Sequence, residues 1–339
     1  MKPGYWTFWQ TMPVAQMPEW RTSAAPEDLR YRASVYRQIR EFFYARGVLE
    51  VETPLLSQAG NTDPNIQPFR LEYSGPSTGG ERTRWLRTSP EFPLKRLLAC
   101  GIGDCYEIGK VFRDGEFGRR HNPEFSMLEW YRIGWNHLRL AEEAVTLLLG
   151  LFAEAGKPLQ VINTSYRQLF KDAIGIDPLL ASDALLANAV ASRIRIDLDG
   201  LTRDDLLDLL LTHAIEPGFP EHQMTVIRDF PASQCALAKL RQDEVSVAER
   251  FEIYVGSTEL ANGYHELNDA VEQRRRFEND LLRRAGSGAA SPDMDERLLQ
   301  SLETLPDCAG IAMGLDRLML CLLGKTEMSE VVAFDFSRA

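Results

Sequence analysis

The stretch at residues 111–132 constrains the fold most, because it predicts two strands joined by a strongly charged loop. Asp114 and Gly115 supply a turn after the first strand. The second segment alternates as a strand does, and one of its faces carries Phe125, Met127, Glu129 and Tyr131. A half-buried strand usually keeps one face apolar, whereas this face adds a carboxylate and a phenol. A solvated hairpin is the alternative interpretation, and the rest of the chain decides between the two.

Composition limits the classes of protein to which the chain can belong. Of its 339 residues, 44% are hydrophobic and 26% are charged, which is typical of a soluble globular protein. The formal net charge of -11 argues against a large tRNA or DNA footprint. The longest apolar run, at residues 144–153, is too short to span a bilayer, and residues 1–20 do not resemble a secretory signal. We therefore expect a cytoplasmic protein with a disordered extension at residues 1–22, followed by one large domain or two.

The cysteines and histidines predict neither disulfides nor a zinc site. The five cysteines are Cys100, Cys105, Cys235, Cys308 and Cys321. Their number is odd and no CxxC pair occurs, so we expect buried free thiols in a reducing compartment. The five histidines show no HExxH or other ligand spacing.

The first structural unit predicted along the chain is a helix followed by an edge strand. Apolar residues at helical spacing predict a helix over 30–46, which Gly47 ends. The strand after it runs into Pro54. Because proline has no backbone donor, this strand belongs at the edge or end of a sheet.

A second helix start follows at the sequence Ser89-Pro90-Glu91. Serine as the N-cap with proline at the first helical position predicts a helix over 92–100. Glu91 in the first turn would either complement the helix dipole or point into a pocket and bind an ammonium group.

The second half of the chain predicts further helices, at 138–156, 184–192, 203–213 and 269–284. Strands at 250–256 and 258–267 form a second, acidic hairpin, whose glutamates are Glu252, Glu259 and Glu266. A glycine-flanked strand at 310–314 then turns into an apolar helix that carries Arg317 in its first turn.

Three of these features together resemble the catalytic domain of class II aminoacyl-tRNA synthetases. In that family a first motif ends in a strand and a proline, as at Pro54. A second motif opens with Phe-Arg, as at Phe112-Arg113, and a third turns through Gly-x-Asp-Arg into a helix, as at residues 314–317. The resemblance implies one catalytic domain at residues 23–339, with an α+β fold in which an antiparallel sheet is flanked by helices.

Other segments resemble the lysine-specific branch of this family. They are TSPE (88–91), HNPEFSMLEWY (121–131) and ELANGYHELND (259–269). Fewer than 30 residues precede the first catalytic helix, so we expect the anticodon-binding domain of lysyl-tRNA synthetases to be absent. The chain most resembles a truncated paralogous group that attaches β-lysine to elongation factor P as a post-translational modification.

The resemblance implies an ATP-dependent ligase. It would use ATP and Mg²⁺ to activate (R)-β-lysine or lysine as an aminoacyl-adenylate. It would then form a C–N bond to a lysine side chain of elongation factor P, with AMP and pyrophosphate released. A homodimer and no tRNA partner are expected. The alternatives are a minimal lysine-activating ligase that acts on tRNA or another amine, and an inactive synthetase paralogue with a regulatory binding role.

The resemblance also implies roles at an ATP site. The catalytic residues would be Arg113, on the substrate carboxylate and α-phosphate, and Arg317, over adenine and near the γ-phosphate. Phe125 would stack on the opposite face of adenine, and Glu252 with Glu259 would bind Mg²⁺. The implied ATP-binding residues are Arg113, Asp114, Gly115, Glu116, His121, Asn122, Phe125, Glu259, Leu260, Gly314 and Arg317.

In the amino-acid pocket, the resemblance implies anionic groups for two ammonium ions. Glu91 and Glu266 would bind the backbone amine, whereas Glu129 and Tyr131 would bind the side-chain amine. The implied substrate-binding residues are Ser89, Pro90, Glu91, Glu129, Tyr131, Asn262, Glu266 and Ala312.

The chain departs from the family pattern at two places. Asp114-Gly115-Glu116 follows Arg113 where the family usually has Asn-Glu, so the contact to adenine falls either to Glu116 or to the backbone at Gly115. Ala312 stands where lysyl-tRNA synthetases have glycine. Its additional methyl group favours a shifted amine, such as that of a β-amino acid.

Overall fold

The computed structural model describes residues 20–76, 82–287 and 291–339, with the side chain of residue 287 left out. The extension expected at residues 1–22 therefore lies outside the described residues, except for 20–22. The α-helices are α1 (Pro26–Tyr44), α2 (Glu91–Ala99), α3 (His137–Glu154), α4 (Tyr166–Ile174), α5 (Asp183–Ala191), α6 (Arg203–Leu210), α7 (Ala270–Ser287), α8 (Glu296–Leu302) and α9 (Leu315–Leu323). The strands are β1 (Leu49–Glu50), β2 (Leu56–Ser57), β3 (Arg70–Glu72), β4 (Thr83–Leu86), β5 (Cys105–Phe112), β6 (Glu124–Ile133), β7 (Gln160–Ser165), β8 (Gln223–Pro231), β9 (Leu240–Arg241), β10 (Val247–Val255), β11 (Thr258–His265) and β12 (Cys308–Gly314).

One large sheet organises the chain, with the strand order β1-β5-β6-β12-β11-β10-β8-β7. Its central pairs, from β5 to β8, are antiparallel, and only the outer pairs β1–β5 and β7–β8 are parallel. A small sheet, β2-β4-β3, lies beside it. This arrangement confirms the expected mostly antiparallel sheet with flanking helices. Pro54 follows β1, the edge strand, as its missing backbone donor requires.

Strand β6 separates the main core from the site because its side chains alternate between the two faces. Leu128 and Trp130 point into a core that α1 and α3 cover. In that core the Phe43 and Tyr106 rings stack with centroids 4.4 Å apart. The other face of β6 carries Met127 and its alternate neighbours and lines a cavity. The hairpin is therefore half core and half site, and the solvated alternative is wrong.

Side-chain caps explain where several helices begin. The caps are Asn136, Ser165, Ser182, Thr202 and Asp295, each of which accepts a hydrogen bond from a backbone N–H of the first turn. Two predicted starts were displaced. Helix α1 begins at Pro26, four residues before position 30, with proline in its first turn. The N-cap of α2 is Pro90 instead of Ser89, although Ser89 Oγ still accepts from the Glu91 N–H at 3.3 Å.

The region 158–230 contains elements that the sequence patterns did not predict, namely β7, α4 and β8. Strand β8 is buried along most of its length and pairs with β7 and β10, and Ile227 and Arg228 break its alternation of polar and apolar residues. The α-helix predicted over 203–213 ends earlier, at Leu210. One turn of π-helix follows it over Leu211–Ile215. Within the described ranges, no helix combines the length and apolarity needed to cross a bilayer.

Candidate active site

A cavity of about 380 Å³ lies over the polar face of the sheet, between the two predicted hairpins and the third motif. The predicted site residues that line it are Ser89, Glu91, Arg113, Glu116, His121, Asn122, Phe125, Glu129, Tyr131, Glu259, Leu260, Asn262, Glu266, Ala312, Gly314 and Arg317. Those that do not line it are Pro90, Asp114, Gly115 and Glu252. The fold thus brings together residues that are separated by more than two hundred positions in the chain.

The pairing of β6, β12 and β11 builds the floor of the amino-acid pocket. In this register Ala312 lies opposite Glu129 on one side and opposite Asn262 on the other. Paired residues in neighbouring strands share a face, so these three side chains lie next to one another on the same face of the sheet. The next residue of β12 on the same face is Gly310, which is paired with Tyr131. A Cβ atom at Gly310 would overlap the Tyr131 ring and the Glu266 carboxylate, which explains why glycine stands there.

The Glu129 carboxylate is built to receive a cation. Its Oε1 accepts a hydrogen bond from the Tyr131 hydroxyl at 2.8 Å, whereas its buried Oε2 accepts none from any residue that the structure describes. Burial, and then repulsion from Glu91, raise the pKa of Glu129 well above its ordinary value. Asn262 Oδ1 is also buried without a donor in the described part of the chain, since only its Nδ2 is engaged, by Tyr264. Two orphan acceptors in one pocket suit the donors of an ammonium group.

Glu91 and Glu266, predicted for the other amine, are bridged by a lysine that the sequence analysis did not identify. Lys95 Nζ lies 2.6 Å from Glu91 Oε1 and 2.6 Å from Glu266 Oε2. The pKa of Lys95 is raised although burial alone would lower it, because Glu266 and Glu91 together stabilise the ammonium. The spacing of four residues from Glu91 was the signal that could have indicated this ion pair.

The opposite end of the cavity is basic. Arg113 lies over Phe125, with its Cζ 5.2 Å from the ring centroid. Arg317 Nη2 contacts His121 Nε2 at 2.7 Å, and its Nη1 lies 3.4 Å from Glu259 Oε2. Burial and then Arg317 lower the pKa of His121, so the ring is neutral at pH 7 and its Nε2 accepts from Arg317. Guanidinium groups beside an aromatic ring suit a nucleotide with its phosphates.

The loop at 114–116 presents one acid to the cavity. Glu116 lines the wall of the cavity, and its Oε1 lies 3.6 Å from Arg113 Nη1. The Asp114 side chain is exposed, and its N–H donates to Gln67 O at 2.7 Å. Gly115 has a φ of +79°, a conformation that glycine adopts without strain. Of the alternatives left open above, the geometry favours Glu116 for a contact to the nucleotide base.

Comparison with known proteins agrees with this geometry. The family model of class II tRNA synthetases (D, K and N) matches residues 14–338. The chain belongs to the class II aminoacyl-tRNA synthetase family. It is similar to the elongation factor P–(R)-beta-lysine ligase of Salmonella gallinarum, with 43% identity over 332 residues that cover 96% of this chain and 100% of that protein. The family predicted from Pro54, Phe112-Arg113 and the 314–317 turn is therefore confirmed.

Class II synthetases use ATP, and Mg²⁺ is the usual companion of its phosphates. Glu259 fits this role because it lines the cavity and its side chain is 39% exposed. Glu252 is buried behind the wall, with its carboxylate held by Arg250 and by the Tyr254 hydroxyl. Among the described residues, no group of three or more His, Cys, Asp or Glu side chains is arranged to hold a metal. One or two carboxylates that act together with substrate phosphates suit Mg²⁺ better than a cage made of protein alone.

Glu216 was missed by the sequence analysis, because the π-helical turn before it brings it from a distant segment to the back of the site wall. Its carboxylate accepts from the Tyr254 hydroxyl at 3.2 Å. Burial, together with repulsion from Glu252 and Glu259, raises the pKa of Glu216 to about 7. Glu216 does not line the cavity itself and lies behind its wall, next to Tyr254, which also donates to Glu252.

Proposed function

We propose that this protein is an ATP-dependent ligase that activates (R)-β-lysine, or lysine, and transfers it to a lysine side chain of elongation factor P. The observation that carries the proposal is the pair of orphan acceptors, Glu129 Oε2 and Asn262 Oδ1, in a buried acidic pocket beside two arginines. A pocket of this kind suits an amino acid with a second amine. The 43% identity with an elongation factor P–(R)-beta-lysine ligase supports the same activity.

In the first step, the substrate carboxylate attacks the α-phosphate of ATP and pyrophosphate leaves. Arg113 would hold both reacting groups, because a guanidinium fork stabilises the negative charge that grows on the phosphate oxygens. Arg317 and His121 would orient the nucleotide, with Phe125 against adenine. Glu259, with Glu252 behind it, would hold Mg²⁺, which would supply positive charge against the ATP phosphates. Leu260, Gly314 and Asn122 complete the proposed ATP site.

In the second step, the acceptor lysine amine attacks the carbonyl of the aminoacyl-adenylate. A C–N bond forms, the bond from carbonyl to phosphate oxygen breaks, AMP leaves, and the amine proton passes to solvent. Glu129 and Tyr131 would keep the distal amine of the donor fixed during this attack, while Glu91, Glu266 and the Ser89-Pro90 turn hold the other amine. Fixing the donor converts part of the entropic barrier into binding free energy.

We also propose that the protein is a cytoplasmic homodimer that does not act on tRNA. The net charge of -11 is unfavourable for a polyanion, whereas it presents no obstacle to a protein acceptor. Apolar side chains are exposed around α1 and the edge strand β1, where Tyr44 is 87% and Leu49 is 49% exposed. A two-fold interface that pairs this edge would cover them.

The test is a transfer assay with ATP, labelled (R)-β-lysine, and either elongation factor P or tRNA as acceptor. We expect label to enter elongation factor P, with release of AMP and pyrophosphate, and an Arg113→Ala variant to transfer none. Label in tRNA or in another amine would favour the minimal lysine-activating ligase. No label in any acceptor and no release of pyrophosphate would favour the inactive paralogue.

A further inference from the structure

Lys95 is an internal cation at the back of the amino-acid pocket. It lies on α2, one turn after Glu91, and its side chain is 2% exposed. Its ammonium contacts Glu91 and Glu266 at 2.6 Å each, yet it lies behind the cavity wall and not on it. A lysine buried this deeply is retained as a cation only where carboxylates surround it. Lys95 therefore contributes a fixed positive charge without touching the substrate.

The charges of the pocket can be counted residue by residue. The carboxylates of Glu91, Glu129 and Glu266 and the Lys95 ammonium leave a formal charge of minus two when all four groups are ionised. Among the described residues, the other titratable groups that face the cluster are Tyr131, Tyr264, Cys105, Cys308 and Lys239. Burial raises the pKa of both phenols and of both thiols, so these groups stay neutral, and Lys239 is paired with Asp307. The Arg250 guanidinium beside Tyr264 is paired with Glu252.

We propose that Lys95 is a positioning residue that keeps the Glu91 and Glu266 carboxylates apart and offsets their mutual repulsion, so that the pocket reaches two net negative charges when a substrate with two ammonium groups binds. The proposal rests on the function proposed above and deepens it, because it says how the same site selects a diamino acid. The substrate carboxylate needs no part of this charge, since Arg113 binds it at the other end of the cavity.

Removing the ammonium has a specific electrostatic consequence. Glu91 and Glu266 would face each other without a cation, and two neighbouring carboxylates in a buried site share a proton. A shared proton raises the pH at which both become ionised. It also draws the two groups together and takes an acceptor away from the substrate. The acidic limb of the pH profile should therefore move upward, which the loss of packing alone would not produce.

The experiment compares Lys95→Met, Lys95→Arg and Arg96→Met. Arg96 is the matched control, because it is an exposed cation on the same helix. The readout is kcat/KM for (R)-β-lysine in ATP–pyrophosphate exchange between about pH 6 and 9. For Lys95→Met we expect the midpoint of the acidic limb of the pH profile to move to higher pH by at least about one unit. We also expect kcat/KM at neutral pH to fall at least about tenfold. The KM for ATP should change less than about twofold, because the nucleotide end is untouched. Lys95→Arg should keep the wild-type limb, and Arg96→Met should match wild type.

Either of two results with Lys95→Met would overturn the proposal. One is an unmoved acidic limb in a folded Lys95→Met protein, and the other is an equal loss at every pH with a matching rise in the KM for ATP. If Lys95→Met does not fold, Lys95→Gln keeps a hydrogen-bond donor without the charge and should show the same shift. An unmoved limb in Lys95→Gln would also contradict the proposal.

Calorimetric binding separates this proposal from the proposed function. Wild-type protein should bind (R)-β-lysine more tightly than the analogue that lacks the amine nearer the carboxylate, which Glu91 and Glu266 would hold. Lys95→Met should lose most of that preference at neutral pH. If wild type shows the preference but no pyrophosphate exchange, the ligase function fails while the role of Lys95 is still measured by binding. Equal binding of the two ligands by wild type would overturn the role of Lys95.

Discussion

At the scale of single residues, the carboxylate of Glu129 makes the most specific chemical demand on a ligand. Its Oε2 is buried without a donor among the described residues, whereas Oε1 is held by Tyr131. We expect Glu129→Gln to lower kcat/KM for (R)-β-lysine activation, because a buried ammonium would lose its charged partner. The corresponding activation free energy should rise by about 2–5 kcal/mol. Glu124→Gln, an exposed change on the same strand, is the control. An unchanged kcat and KM for Glu129→Gln would refute the pocket assignment.

The raised pKa of Glu129 also predicts a pH dependence. In the empty pocket the folded protein holds this proton up to a higher pH than the unfolded chain does. The free energy of unfolding therefore falls as the pH rises through the folded-state pKa of Glu129. A bound ammonium group stabilises the ionised carboxylate and so offsets this loss. We expect the affinity for a diamino acid to increase with pH across this range. Titration calorimetry at several pH values measures this affinity. The increase in affinity with pH should be smaller in the Glu129→Gln variant.

Ala312 is a candidate determinant of the choice between α- and β-amino substrates. It lies between Glu129 and Asn262 in the strand register, so its methyl group occupies space at the floor of the pocket. We expect Ala312→Gly to improve the activation of α-lysine relative to β-lysine, because a deeper floor suits an amine on the α-carbon. The measurement is the ratio of kcat/KM for the two substrates. The same ratio in wild type and variant would contradict this role.

At the scale of elements, helix α9 is fixed to strand β6 and to helix α1 through one carboxylate. Asp316 Oδ2 accepts from the Ser126 N–H at 2.8 Å, and Asp316 Oδ1 lies 2.5 Å from Arg32 Nη2. Ser126 lies between two cavity-lining residues of β6, and Asp316 precedes Arg317. Arg32 therefore holds together the two elements that carry the proposed ATP site.

We expect Arg32→Met to destabilise the protein by about 3–5 kcal/mol, because it leaves a buried carboxylate without its cation. The KM for ATP should rise more than the KM for the amino acid, since Arg317 and Phe125 lose their fixed relation. Thermal unfolding and exchange kinetics measure the two effects. Arg37→Met, an exposed change on the same helix, should alter neither. Equal increases in both KM values would argue against a specific link to the ATP site.

The elements that could be predicted from sequence are those whose local pattern matches their final environment. Strand β6 has one core face and one site face, so its alternation was visible and placed Glu129 and Tyr131 correctly. Strand β8 is buried along most of its length, and Ile227 and Arg228 break its alternation. The contacts of Lys95 with Glu266, of Gly310 with Tyr131 and of Asp316 with Ser126 join distant segments. Such long-range contacts leave no periodic signal, which is why these partners emerged only from the fold.

At the scale of the whole molecule, the large sheet divides stability from chemistry. One face packs against α1 and α3 and forms the apolar core, whereas the other face supplies an acidic and a basic half of one cavity. The acidic half suits two ammonium groups and the basic half suits ATP. We infer that both halves of the cavity act on one substrate, a diamino acid whose carboxylate reaches the nucleotide.

The most direct test of this claim is ATP–pyrophosphate exchange with a panel of amino acids. The panel contains (R)-β-lysine, α-lysine and the analogue of β-lysine that lacks the distal amine. We expect exchange with the diamino acids, strongest with (R)-β-lysine, and a rate lower by at least about tenfold for the analogue, since Glu129 would be left without a partner. Equal rates with the analogue, or no stimulation by any amino acid, would contradict it.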